Sequence, residues 1–453
     1  MSELRPASET HTGADGSERP FDVLLFGATG FTGRLTAEYI AVHARAQADA
    51  AQLGRGLRWA IAGRNPPQLS EVQRACAALG SEPQIVLASL DEPSGLAAAA
   101  ASTRVLASTV GPYAAYGLPV AQACVDQATH YLDITGEPDF VSDLRQTLHA
   151  QAQARGVKLV SCCGFDSIPH DLGAWCCAQL LTPDSAVRMR GVVEADAEFS
   201  GGTWHSAVGA MANLGRRPLH PQIRAETGGG QPRRSRVGRQ VGGLKRGAHY
   251  DAYAKGWVAP LPTIDPQIVL RSARALPEYG PDFRYGHFVR VGSAAKLAAA
   301  ALAVGGAVLL SRVALTRRLL LSVKQPGQGP SAERRARSWF RVVFHARAAS
   351  GAEARFEVSG GDPGYDETSK MLAESALCLA LDHAELAAWD ARVLSATKRT
   401  DLSAARREEH ASAAQPNAAD SAQRNAGALT PVVAMGAPLL KRLKGAGMCF
   451  REL

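Results

Sequence analysis

Hydrophobic and polar positions follow two different rhythms along this chain. Over residues 21–163, short apolar runs alternate with amphipathic stretches. Phe21 and Val23-Leu24-Leu25-Phe26 open the series. Runs at 57–62, 84–88, 104–110, 130–134 and 157–163 follow. Such continuous runs predict strands covered on both faces. Between them, 32–46 predicts a helix, with Leu35, Tyr39, Ile40 and Val42 able to share one face. Residues 67–79, 118–128 and 137–155 predict further helices. Strands separated by helices imply right-handed crossovers, and so an α/β fold with a doubly wound parallel sheet.

From about Asp171 the rhythm changes. Strand-like pieces at 185–194, 339–346 and 354–359 are separated by Gly-, Pro- and Arg-rich loops, above all 228–243. The expectation is an α+β domain over 171–425 that carries the substrate. Gly201-Gly202-Thr203-Trp204-His205 leads into a helix within 200–214. Residues 297–310 form fourteen small or apolar positions without a charge, with Lys296 before them and Arg312, Arg317 and Arg318 after. That is short for a bilayer span, which takes about 20 residues. Two readings stand: a buried core helix or oligomer contact, and an interfacial helix or greasy wall facing lipid. Gly360 to Tyr365 is a turn, with Asp366 or Thr368 capping a helix to Asp382. Residues 403–426 are Ala-, Arg- and polar-rich and read as mobile. A Pro-started helix and terminal strand over 430–450 are expected to pack back on the first domain, making 426–453 a return segment.

Composition narrows the picture. A chain of 453 residues, 46% hydrophobic and 20% charged, supports two or three folded domains. The net charge of +8 favours anionic partners such as phosphorylated cofactors or acidic lipid. No zinc-finger, helix-turn-helix or RNP-like pattern points to nucleic acid. Eight cysteines without metal spacing read as buried, reduced thiols of a cytosolic protein. Residues 1–20 lack the apolar core of a secretory signal and read as a disordered lead-in.

The chemistry concentrates at the predicted strand ends, where ligands bind in open α/β sheets. Gly27, Gly30 and Gly33 sit three apart between the first strand and helix. Glycines there let backbone amides approach a ligand, and the helix N-terminus attracts phosphate. Thr29, Phe31 and Thr32 complete this candidate cofactor turn, and Asp91 is placed to cap a helix or touch adenine. At the end of the second strand an acid would bind the 2′-hydroxyl of NAD, but Arg64 stands there. Its guanidinium suits a 2′-phosphate, so NADP is the expected cofactor, ahead of NAD. Val110, Gly111 and Pro112 continue the site after strand four, with Gly63, Thr135-Gly136 and the 164–170 segment at the other strand ends.

Several segments together resemble the saccharopine dehydrogenase-like oxidoreductases, and within them the trans-acting enoyl reductases. They are Gly27-Ala-Thr-Gly-Phe-Thr-Gly33, Ala62-Gly-Arg64, Val110-Gly-Pro-Tyr113, Tyr116-Gly-Leu-Pro119 and His130-Tyr-Leu-Asp-Ile-Thr-Gly-Glu137. Cys163-Gly-Phe-Asp-Ser-Ile-Pro169, Gly361-Asp-Pro-Gly-Tyr365, Thr430-Pro431 and Met435-Gly436 extend the resemblance over nearly the whole chain from residue 21. It implies a Rossmann domain over 21–170, an inserted α+β domain and a C-terminal segment returning to the first. It also implies association with membranes or lipids.

Reduction of a polarised C=C bond needs a hydride, a stabilised enolate oxygen and a proton for the α-carbon. Tyr113 and Tyr116 are candidates for the proton or for polarising a carbonyl; the competing reading is local packing. Asp166, Ser167 and His170 point into the same cleft, where a histidine is an acid or a structural hydrogen-bonder. Cys163 reads as packing, because hydride transfer needs no thiol. The expectation is thus an NADP-dependent enoyl reductase acting in trans on a lipid or acyl-carrier-bound substrate, with no metal. The expected location is cytoplasmic, with peripheral contact at the inner face of the plasma membrane through 297–324. Oligomers are compatible with the sequence. Two alternatives remain: a saccharopine-type amine dehydrogenase, and a non-catalytic membrane-associated NADP-binding protein.

Overall fold

The computed structural model describes residues 18–50, 53–182, 185–198, 233–234, 239–244, 247–313, 329–408 and 425–453, with single positions at 316, 318, 319 and 322. The first half runs β1 (Phe21–Phe26), α1 (Phe31–Ala50), β2 (Trp59–Gly63), α2 (Pro66–Ala78), β3 (Gln84–Leu87), α3 (Pro93–Ala101), β4 (Thr103–Ser108), α4 (Tyr113–Asp126), β5 (His130–Asp133), α5 (Pro138–Ala154), β6 (Lys158–Val160) and α6 (Ile168–Gln179). It continues with β7 (Val187–Asp196), β8 (Arg233–Arg234), β9 (Gln240–Gly243), β10 (His249–Asp251), β11 (Gly256–Pro260), α7 (Asp265–Ala275), β12 (Asp282–Gly292) and α8 (Ala294–Ser311). Then come α9 (Ala332–Arg337), β13 (Trp339–Ala348), β14 (Glu353–Gly360), α10 (Asp366–Leu381), α11 (His383–Glu408), β15 (Gly427–Leu429), α12 (Pro431–Gly445) and β16 (Cys449–Glu452).

Seven parallel strands form the first sheet, in the order β15-β6-β5-β4-β1-β2-β3. All six residues of β1 are buried, as a central strand requires. The second sheet is mixed and nine-stranded, in the order β10-β11-β12-β7-β13-β14-β16, with β9 also on β12 and β8 on β9. This is the α/β architecture expected: a doubly wound, Rossmann-like parallel sheet with an α+β half inserted before its last strand. The chain returns twice, since β15 completes the first sheet beside β6 and β16 pairs β14 in the second.

Two buried helices join the halves. Ile168 to Ala178 of α6 are all buried, and Gly173 lies so close to Phe344 and Val358 that a Cβ would reach 2.2 Å from the Phe344 ring. α10 is buried except at Asp366 and Lys370 and packs on α1, β1, β4 and β5. Its buried Glu374 is held by the Tyr39 hydroxyl at 2.7 Å and by Arg442 at 3.1 Å. A buried carboxylate is tolerated when so paired.

The structure differs from the sequence reading in definite places. α3 follows Asp91, the residue offered as a helix cap, but its cap position is Glu92, which makes no side-chain capping bond. α4 begins at Tyr113 rather than residue 118 and contains Pro119 within it. The segment 228–243, read as loop, contains β8 and β9. α11 runs to Glu408, into the stretch read as mobile. Glu18 to Pro20 are placed, with the Arg19 guanidinium buried against the carbonyls of Thr103, Gln127 and Ala128 and the Thr129 hydroxyl. The lead-in at 1–17, the helix expected in 200–214 and the tract 409–424 lie outside the described residues. α8 is not a core helix, because only 6% of its apolar window is buried.

Candidate active site

The glycine turn is built by contact. Gly27 adopts φ +92°, in the left-handed region that favours glycine. A Cβ on Gly27 would lie 2.7 Å from Val110 Cγ2, and one on Gly33 would lie 2.2 Å from the Gly27 carbonyl oxygen. The Thr109 hydroxyl donates to that same carbonyl at 3.0 Å, so the end of β4 braces the turn. Gly30 is exposed, and α1 carries no acidic residue in its first turn. A helix N-terminus without an acid in its first turn fits a pyrophosphate. Thr29 and Thr32 are half-buried at this turn. The Phe31 ring is held by the second half of the chain, edge-on to Tyr365 at 4.6 Å and under Arg335 at 5.5 Å.

Arg64 and Asp91 are exposed at the ends of β2 and β3. Arg64 precedes Asn65, whose side chain caps α2 at Gln68 N. Val110 is half-buried, and the Gly111-Pro112 peptide is cis and exposed.

α4 presents a different N-terminus from α1. The Glu137 carboxylate accepts from Tyr113 N at 3.0 Å and Ala114 N at 2.9 Å, so an anion already sits there. The Tyr113 hydroxyl is buried and donates to the Ser108 carbonyl at 3.0 Å. Burial first, and the nearby Asp133 carboxylate second, hold that phenol well above its usual pKa. This hydroxyl secures the end of β4 and does not face the cleft. Tyr116, one turn on, is 44% exposed.

At the ends of β5 and β6 the backbone is tied by Asp133. Its carboxylate accepts from Thr135 N at 2.9 Å, Cys162 N at 3.2 Å and the Ser161 hydroxyl at 2.8 Å. Burial pushes its pKa up to about 6 against these bonds. Asp166 follows, half-buried, within 2.9 Å of where a Cβ on Gly136 would stand. Burial first, then the charge of Asp265, raise its pKa to about 7, offset in part by His170. Phe165 N donates to Thr368 Oγ1 at 3.1 Å, and Ser369 Oγ donates to the Thr32 carbonyl at 3.2 Å. The Gly361 to Tyr365 turn and the start of α10 therefore span from the β6 end to the cofactor turn.

His170 lies in the first turn of α6 and is 1% exposed. It meets two residues that sequence reasoning missed. Asp265 Oδ1 stands 3.1 Å from His170 Nδ1, which is also 3.1 Å from the Phe165 carbonyl. Asp265 Oδ2 stands 3.5 Å from His287 Nε2 and accepts from the Thr263 hydroxyl. His287 Nδ1 lies 3.2 Å from the Tyr285 hydroxyl. One nitrogen or oxygen from each of His170, Asp265 and His287 falls within 4.8 Å of the others. Burial alone would lower the His170 pKa, but the adjacent Asp265 carboxylate outweighs it and the pKa is raised. Burial and the charge of His170 push His287 down to about 3. The signal for His287 was a polar residue in register with Phe283 and Tyr285 on an apolar strand face; Asp265 gave none beyond its place before Pro266.

All eight cysteines are free thiols, and seven are buried. Burial raises Cys163, whose thiol donates to the Val160 carbonyl at 3.3 Å.

The family model for the saccharopine dehydrogenase NADP binding domain matches residues 23–160, from β1 to β6. A protein of Mycobacterium tuberculosis with a provisional trans-acting enoyl reductase name is 35% identical over 462 aligned residues, covering 96% of this chain and 97% of its own length. A trans-acting enoyl reductase of Mycobacterium bovis is 31% identical, covering 95% of this chain and 97% of its own. The chain belongs to the saccharopine dehydrogenase-like oxidoreductases, alongside the trans-acting enoyl reductases. Among solved structures, apo saccharopine dehydrogenase from Saccharomyces cerevisiae aligns over 95% of this chain and 99% of its own, with 11% identity and a TM-score of 0.45. As a member of this family, the chain is an NAD(P)-dependent oxidoreductase with an NADP-binding first domain. Gly27 and Gly33 fit that cofactor by letting the turn close where a Cβ would collide with Val110 and the Gly27 carbonyl, and Gly30 by leaving an exposed bare backbone at the turn.

Proposed function

We propose that this oxidoreductase reduces the C=C bond of an α,β-unsaturated acyl thioester of lipid or polyketide type, presented in trans. The observation that carries this reading is the near full-length relationship to trans-acting enoyl reductases, joined to a braced glycine turn facing a polar strand-end cluster. Bound NADPH supplies the hydride for the β-carbon. The residues at 27–33 hold the pyrophosphate on the α1 N-terminus, and Arg64 takes the 2′-phosphate. Val110, Gly111 and Pro112, at the end of β4, would help to hold the bound cofactor. Asp166 and His170, across the strand ends, serve the proton that the α-carbon requires. Tyr116 remains open to substrate, whereas the Tyr113 hydroxyl is already bonded.

Lipid as the substrate class is supported by α8. Its Leu302 is 79% exposed and Leu309 66%, with Arg312 following the helix. An apolar helix exposed over most of its described residues suits a lipid surface better than water. Such contact would keep the protein in the cytoplasm at the inner face of the membrane, next to a hydrophobic acyl chain.

The test is loss of NADPH absorbance with long-chain 2-enoyl thioesters, free and carrier-bound, against a panel of amino acids with 2-oxo acids. Turnover of the enoyl thioesters supports the reading. NADPH binding with no enoyl turnover, or turnover only of the amino-acid panel, overturns it.

A further inference from the structure

We propose that His170 delivers the proton to the α-carbon and that Asp265, seated between His170 and His287, is the positioning residue that orients it. This rests on the enoyl reductase reading for its substrate. The three side chains come from α6, the first residue of α7 and the middle of β12, so both halves of the molecule converge on one point. Asp265 is 1% exposed and faces His170 Nδ1 at 3.1 Å and His287 Nε2 at 3.5 Å. His170 Nδ1 is hydrogen-bonded to the Phe165 carbonyl and stands at ion-pair distance from Asp265 Oδ1, while His170 Nε2, Asp265 Oδ1 and His287 Nε2 are all buried without a hydrogen-bond partner. A buried polar atom left bare is costly, and a reacting ligand is what would meet it. An acid whose second nitrogen is fixed by a carboxylate has its ring orientation and charge set in advance.

The surrounding groups agree. His287, held neutral, adds no second positive charge to the site. Asp265 stays ionised, because the charge of His170, with the Thr263 hydroxyl, outweighs its burial. Asp166, half-buried on the preceding loop, lies near enough for the charges of Asp265 and His170 to act on its carboxyl. Cys162 is close enough to feel both Asp166 and Asp265 but stays a thiol. In the reaction, hydride arrives at the β-carbon and the π electron pair moves toward the α-carbon and carbonyl oxygen. The His170 Nε2–H bond breaks as the new C–H bond forms at the α-carbon. His170, left neutral, takes a proton from solvent.

The experiment follows the histidine ring signals by NMR across pH in wild type, His170→Asn, Asp265→Asn and Asp265→Glu, alongside NADPH affinity, kcat, KM and metal content. His170→Asn assigns the signal. The expected result is a His170 midpoint that falls in Asp265→Asn and is largely kept in Asp265→Glu. Activity needs protonated His170 and is lost as pH rises, so the alkaline limb of kcat moves to lower pH in Asp265→Asn. There kcat falls about 10²–10⁴-fold with KM and NADPH affinity little changed. If no enoyl thioester turns over, the enoyl reading fails, while the NMR midpoint still decides the His170–Asp265 pairing. If Asp265→Asn does not fold, Asp265→Ser supplies the comparison, with the same fall in the His170 midpoint expected and an unmoved midpoint overturning the proposal. A midpoint unmoved in Asp265→Asn overturns the proposal. So does stoichiometric bound metal that disappears in His287→Gln, which would make the three residues ligands instead.

Discussion

Gly33 shows how little freedom the cofactor turn has. A methyl group there meets the Gly27 carbonyl oxygen at 2.2 Å, a backbone atom that can move only with β1. Gly33→Ala is therefore expected to cost about 1–3 kcal/mol of stability and to weaken NADPH binding at least about tenfold; calorimetry and fluorescence titration check both. Asp171 carries a different message. Its carboxylate accepts from Val432 N at 2.9 Å, yet Oδ1 is buried without a partner, and burial raises its pKa to about 7. The folded state thus prefers protonated Asp171. That contribution is full below pH 4 and is lost as pH rises through about 7. Asp171→Asn is expected to flatten the fall in Tm between pH 5 and 8 and to raise Tm by a few degrees at pH 8. A steeper fall in the variant would contradict this. At this scale the sequence was most legible where backbone needs a particular residue, as at the glycines. It was least legible where residues meet from distant segments. Nothing local announces that Asp265 and His287 will face His170.

Among elements, strand ends in the first half were readable because each strand is a continuous apolar run. α3 was not, since Pro93-Ser-Gly-Leu-Ala-Ala-Ala-Ala-Ala101 has no alternation to reveal a buried face. α4 starts earlier than expected because Pro119 sits inside a helix whose first amides are already paired with Glu137. α8 is the element whose sequence is clear and whose purpose is set by its surroundings. Eighteen helical residues extend about 27 Å, near the thickness of a bilayer's hydrocarbon layer, and the helix makes few contacts beyond β11 and β12. Leu302→Glu with Leu309→Glu is expected to abolish flotation with anionic liposomes while leaving Tm unchanged. A large drop in Tm would return α8 to a packing role.

The whole molecule is tied at its C-terminal end. Residues 425–453 supply β15 to one sheet, β16 to the other and α12 between them, against α6, α10 and α11. Trp389 closes the join, with its indole N–H on the Val433 carbonyl at 3.0 Å and its ring filling the space beside Gly436. Removal of 425–453 is expected to yield a chain without a cooperative thermal transition, where independent domains would leave the NADP-binding half intact. The first domain was legible as a whole because its strand–helix rhythm is local. The second was not, because its sheet joins β7, β12, β13 and β16 from far apart, and such pairings leave no periodic trace.

The placement of β15 also bears on how the protein is made. During synthesis, β1 to β6 emerge early, yet the β6 edge stays open until residues 427–429 exist to cover it. An open parallel edge is a template for pairing with other chains. The nascent protein must therefore carry an adhesive strand through the making of about 270 further residues, a long interval for a domain that is otherwise ready to fold. Poor solubility on overproduction, relieved by slower translation or by chaperones that shield strand edges, is the practical face of that topology.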